Sequence, residues 1–101
     1  MAIMNVKNAD FEAEVMNHKG TVLLDFWAPW CGPCRILAPI LEQVAEKRPD
    51  VKICKINVDE EPELSISHHI LSIPTLMVMK DGLVEERVTG VRSKAQILDM
   101  L

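Results

Sequence analysis

The sequence predicts an α/β domain: a central mixed five-stranded sheet flanked by four helices, in the order βαβαβαββα. Three observations predict it. "TVLLDFW" and "VKICKINV" are nearly continuous apolar runs rich in β-branched residues, the pattern of strands buried on both faces. Segments with apolar residues three and four apart lie between such runs and read as helices. Near the C-terminus, Asp81-Gly82 separates two further strand-like runs, a strong hairpin signal. A length of 101 residues suits one domain over 1–101.

Each element follows from its residues. "IMNV" is a short strand. Asn8 is expected to cap a helix running to about Asn17, with Phe11 and Val15 on one face and Asp10 and Glu12 favouring its positive end. Gly20 closes that segment, and "TVLLDFW" follows. From Gly32 to Lys47, Ile36, Ile40, Leu41, Val44 and Ala45 recur at helical spacing. Pro33 falls in the first turn, where its missing N–H costs little, and Pro39 lies inside the helix and should kink it. After "RPD" comes the strand "VKICKINV". "DEEPELSISHHI" reads as a short helix with Pro62 near its start. "TLMVMKDGLVEERVTG" is the hairpin, and "SKAQILDML" is a last helix capped by Ser93. The sheet is expected to be mainly parallel, with the hairpin as an antiparallel edge.

Composition excludes several function classes. Hydrophobic residues are 49% and charged residues 26%, ordinary for a globular domain. A formal net charge of −4 argues against general nucleic-acid binding, which needs a basic face. No apolar run is long enough to cross a bilayer. "MAIMNVKNAD" lacks the basic start and apolar stretch of a secretory signal, so a cytoplasmic location is expected; a mature form already trimmed would look the same. Three cysteines do not make a disulfide framework. In a reducing compartment a close pair is more often catalytic or metal-binding.

"FWAPWCGPC", Phe26–Cys34, contains both tryptophans and two of the three cysteines. Cys31 and Cys34 stand where a buried strand gives way to a helix. Spacing of i,i+3 in a first helical turn can place two Cα atoms within disulfide range. Cys31 lies at the positive end of the helix, beside backbone N–H groups that stabilise a thiolate. Cys34, one turn inward, should be better protected, so one sulfur is placed to attack and the other to resolve. Gly32 lets a partner's backbone approach, and Pro33 stiffens the turn. A zinc site needs four ligands, usually two pairs, and there is no second cysteine pair. Cys54 sits inside an apolar strand, and the adjacent His68 and His69 point apart. A structural staple closing so short a loop would stabilise little.

Two charges interrupt the apolar strands. Asp25 and Lys55 either reach water at strand ends or are neighbours on adjacent strands beneath the cysteine pair. If Asp25 is desolvated, its pKa rises and it can exchange a proton with Cys34 near neutral pH; a nearby Lys55 would oppose part of that rise. Plainer readings suit the remainder. Phe26, Trp27, Met77 and Met79 are packing residues and Cys54 is an inert buried thiol. "DEEPE" is a solvated helix start, with Val58 and Asp59 at the edge of the active face.

"WCGPC", the preceding "DFWA", Pro39, "KINVD", "IPT", the "DG" hairpin and "TGV" together resemble the thioredoxin family over almost the whole chain. The resemblance implies a thioredoxin fold and reduction of protein disulfides through a reversible Cys31–Cys34 disulfide, with Cys31 as nucleophile and Cys34 as resolving cysteine. It implies that Asp25 is buried behind Cys34 as general acid and base, with Lys55 close enough to tune it. It implies a cis Ile73-Pro74 bond facing the disulfide. A flat apolar patch of Trp30, Gly32, Pro33, Ile73, Pro74, Gly90 and Val91 would receive extended substrate segments. The cysteines carry the electrons, so no cofactor is expected. The implied partners of this expected monomer are a thioredoxin reductase and diverse disulfide-containing proteins. His68-His69 stands where an aromatic followed by glycine is usual, Ser72 replaces a common glycine, Pro29 a common polar residue, and the last helix ends early. Two other functions stay open. "GP" and Trp30 point away from a glutathione-linked oxidoreductase, and redox turnover would separate an enzyme from a subunit that only binds.

Overall fold

Strand β2 (Thr21–Trp27) lies at the centre of the sheet, between β3 (Lys52–Asn57) and β4 (Thr75–Lys80), in a computed structural model that describes residues 3–101. Met1 and Ala2, the start of the expected 1–101 span, lie outside the described residues. The edges are β1 (Ile3–Asn5), beside β3, and β5 (Leu83–Thr89), beside β4. The two continuous apolar runs therefore occupy positions covered on both faces, as expected.

The sheet is mixed, but it is not mainly parallel. β1–β3 and β3–β2 are parallel, whereas β2–β4 and β4–β5 are antiparallel. The connection after β3 carries the short helix α2 (Pro62–Ser67). The chain leaves β3 at Asn57, beside Trp27, and re-enters as β4 at Thr75, beside Phe26, at the same end of the sheet. β4 therefore runs opposite to β2 and β3.

Alternation along β2 divides the core in two. Val22, Leu24 and Phe26 pack with Phe11, Val15, Met77 and Met79 on one face. Leu23 faces the other way, into Leu37, Leu41 and Val44 of α1 (Gly32–Lys47) and Ile97 of α3 (Lys94–Met100). No helix is long and apolar enough to cross a membrane among the described residues. The helical pattern of α1 runs through Pro39, whose nitrogen cannot bond the Arg35 carbonyl. Ser93 caps α3 in a reciprocal box: its Oγ accepts from the Gln96 N–H at 3.1 Å, and the Ser93 N–H donates to Gln96 Oε1 at 2.9 Å.

The first helical segment departs from expectation. It is a 3-10 turn at Asn8–Asp10 followed by a π-helical stretch at Glu12–Met16, and Asn8 does not cap it. The Asn8 N–H donates to Glu61 Oε1 at 2.9 Å and its side-chain amide to Glu63 Oε1 at 3.3 Å. Those glutamates are thus engaged rather than simply solvated. So short a segment has little helical stability of its own, and burying Phe11 and Val15 together decides its winding.

Asp81 at φ 51° and Gly82 at φ 82° form the expected tight turn. A Cβ on Gly82 would stand 2.8 Å from the Met16 carbonyl, whereas one on Gly20, at φ 101°, would meet open space. Gly20→Ala should therefore cost about 1–2 kcal/mol from backbone conformation alone. Gly82→Ala should cost more, because the turn must also retreat from Met16. Denaturant unfolding of both variants measures the order, and equal losses would contradict the close approach.

Candidate active site

The site is built where β2 ends. Cys31 is the N-cap of α1, with extended backbone, and its Sγ accepts the Cys34 N–H at 3.2 Å. Gly32 and Pro33 form the intervening first turn. Cys31 and Cys34 are joined as a disulfide, their Cα atoms 5.3 Å apart. The Cys31 sulfur also lies 3.9 Å from the Ile73 carbonyl oxygen. Burial does not separate the two cysteines, at 4% and 3% exposed. They differ in position: Cys31 is the N-cap, where its sulfur accepts a backbone N–H of the first turn, and Cys34 lies within that turn.

The approach to Cys31 is braced. The Arg35 guanidinium donates to the Pro29 carbonyl at 2.8 Å. Trp30 is 66% exposed, yet its indole N–H donates to Asp59 Oδ2 at 2.8 Å, so Asp59 orients the ring. A Cβ on Gly32 would touch nothing in the chain, which leaves that space for a partner.

Asp25 is 1% exposed. It is two residues on from Leu23 along β2 and so points to the same face, the one covered by α1, which carries Cys34. Lys55 is its direct partner across the β2–β3 register, so the two charges are neighbours rather than groups at strand ends. The Lys55 ammonium sits 4.6 Å from the centre of the Trp27 ring. Neither Asp25 oxygen has a protein hydrogen-bond partner among the described residues. Burial pushes the Asp25 pKa up to about 6, and Lys55 opposes that rise. Cys54 is fully buried, and burial pushes its thiol up to about 11, which makes it a poor nucleophile.

The Ile73-Pro74 bond is cis. Pro74 is buried, and its carbonyl accepts the Gly90 N–H at 2.8 Å, placing Gly90 and the exposed Val91 next to it. Instead of a uniformly flat patch, the surface has a groove of about 340 Å³ lined by Trp30, Val58, Ser65, Ile70, Leu71, Ser72 and Ile73. Ile70 and Leu71 were not legible as site residues. They lie in an irregular segment between α2 and β4, where no periodicity marks a face.

His68 is half-buried rather than free on the surface. Its ring packs edge-on to Phe11 at 5.0 Å and lies 5.6 Å from Phe26, and its Nδ1–H donates to the Leu64 carbonyl at 2.8 Å. It fills an aromatic position with an aromatic ring. His69, at φ 55°, occupies the left-handed conformation that explains a usual glycine there.

The thioredoxin family model matches residues 2–101. A thioredoxin of Pseudomonas aeruginosa is 44% identical over 100 residues, covering 98% of this chain and 93% of the relative. One from Listeria monocytogenes is 45% identical over 100 residues, covering 98% and 95%. One from Mycobacterium tuberculosis is 42% identical over 98 residues, covering 96% and 84%. The likeness thus spans the sheet, the cysteine turn and the Ile73-Pro74 segment together: the chain belongs to the thioredoxin family and is a thiol–disulfide oxidoreductase working through Cys31 and Cys34.

Proposed function

We propose the following division of labour for the reduction of protein disulfides. The observation that carries it is the Cys31 sulfur at the α1 N-terminus, bonded to the Cys34 N–H. The Cys31 thiolate attacks a substrate disulfide, forming a mixed disulfide and releasing one substrate sulfur, which takes up a proton. Asp25 accepts the Cys34 proton, directly or through water, and the Cys34 thiolate attacks the Cys31 sulfur. The internal disulfide forms and the second substrate sulfur leaves. The substrate gains two electrons, and the chain is oxidised by two. Lys55 tunes Asp25, keeping its raised pKa within reach of neutral pH.

Protein substrates dock as extended segments against Trp30 and Ile73, flanked by Gly32 and Pro33 on one side and by Pro74, Gly90 and Val91 on the other. The groove and the nearness of the Ile73 carbonyl to Cys31 support this. Thioredoxins act with disulfide substrates and a thioredoxin reductase. A thioredoxin reductase drawing on NADPH or another low-potential donor is accordingly the proposed recycling partner. The proposed working form is a monomeric single domain over residues 1–101, located in the cytoplasm.

Insulin reduction with dithiothreitol tests the central step. The protein should accelerate it, Cys31→Ser should abolish the acceleration, and Cys34→Ser should accumulate mixed disulfides through Cys31. Full turnover by Cys34→Ser would instead favour a role in binding alone.

Asp25 links pH to both rate and stability. Its folded pKa lies above the ordinary 3.8, so the native state holds the proton more tightly than the unfolded chain between those values. Oxidised protein should lose stability as pH rises through that window and stay weakened above it. Asp25→Asn should be more stable than wild type by about 3 kcal/mol at pH 7, and the gap should close below pH 4. The variant should also lose the rate dependence near pH 6 for mixed-disulfide resolution. An unchanged rate profile would remove the acid–base role.

A further inference from the structure

The segment between α2 and β4 forms one wall of the docking groove, yet its middle has little packing of its own. Leu71 is 95% exposed, and Ser72 beside it is exposed too. His69 holds a left-handed conformation, φ 55°, that disfavours any residue with a side chain. Local bonds secure the two ends. The Ile70 N–H donates to the Ser65 carbonyl at 2.9 Å, and the Thr75 hydroxyl donates to the Ser72 carbonyl at 2.7 Å.

Among the described residues, hydrogen bonds reaching 68–72 from outside 61–75 come from one side chain, Arg87 on β5. One guanidinium nitrogen donates to the His68 carbonyl at 2.6 Å, and the other donates to the His69 carbonyl. A planar guanidinium can hold two adjacent carbonyls at once; a lysine ammonium is a point donor. The clamp joins the edge strand to the groove wall at the residue whose backbone most needs support.

We propose that Arg87 is a positioning residue for protein-substrate docking: its fork fixes the His68 and His69 carbonyls and so places Leu71 and Ile73 along the groove. This rests on the reading that protein substrates dock beside Ile73. Without the fork the wall samples other arrangements, and each binding event must order it. The disulfide chemistry at Cys31 and Cys34 is untouched. The loss therefore falls on half-saturation and not on the limiting rate. A small aromatic disulfide needs Cys31 but not the wall.

The test mixes reduced protein with increasing insulin in single turnovers, and separately with 5,5′-dithiobis(2-nitrobenzoate). Arg87→Gln should raise the half-saturating insulin concentration about three- to tenfold, leaving the limiting rate and the small-disulfide rate within about twofold of wild type. Arg87→Lys, which keeps the charge without the fork, should fall between. Adding His69→Gly to Arg87→Gln should move half-saturation back toward wild type, because glycine holds the left-handed conformation unaided. Unchanged half-saturation in Arg87→Gln overturns the proposal, as does a comparable loss of the limiting rate and of the small-disulfide rate. Wild-type behaviour of Arg87→Lys overturns the role of the fork. Trp30→Ala serves as reference. If it raises half-saturation while Arg87→Gln does not, only this inference falls; if neither does, the docking reading falls with it.

Discussion

Burial of β2 on both faces is the constraint on which the other parts of the site depend. Five consecutive residues, Val22–Phe26, are shielded by one core or the other, and Asp25 is among them. A carboxylate without hydrogen-bond partners in such a place is costly when ionised, so it holds its proton to a higher pH even with Lys55 alongside. The same strand ends within a few residues of Cys31, and its α1 face is the face that carries Cys34. One strand thus supplies the desolvated acid and delivers the reactive turn. The chain accepts the instability of a buried ionisable group where a hydrophobic residue would pack better.

Around that strand, polar contacts hold the exposed parts in place. Asp59 fixes Trp30, Arg35 fixes the Pro29 carbonyl, and the Pro74 carbonyl holds the Gly90 N–H. These contacts tie groups near Cys31 to other elements, which lowers the ordering needed when a partner arrives. In the groove wall at residues 68–73, Ile70 and Ile73 pack against the core while Leu71 is exposed. The wall's departures from the family pattern have separate physical accounts: His68 substitutes one aromatic ring for another on Phe11 and Phe26, while His69 places a side chain in a conformation suited to glycine.

Much of this was legible in the residues. Continuous apolar runs marked β2 and β3, Ser93 marked the start of α3, and Asp81-Gly82 marked the hairpin. These signals are local, because burial on two faces, a helix cap and a positive-φ turn each leave a pattern within a few residues. The cysteine pair at a helix start was equally plain. What failed depended on partners far along the chain. Asn8 looked like a cap, but it lies inside the first turn, and its N–H and side-chain amide donate to Glu61 and Glu63. The direction of β4 depended on which end of the sheet the chain re-enters, and Ile70 and Leu71 lie in a segment with no period to read.

The sequence by itself determined the element order, the two-sided burial of the central strands and the chemistry of Cys31 and Cys34, since residue type and near-neighbour spacing govern those. Only the tertiary structure decided which charge faces which. It set Asp25 opposite Lys55 across two strands, brought Ile73 to Cys31 from 42 residues away, and closed Arg87 over the carbonyls of His68 and His69. The physical reason is range. Propensity and periodicity act within a few residues, whereas desolvation, register and clamping depend on what the fold brings alongside.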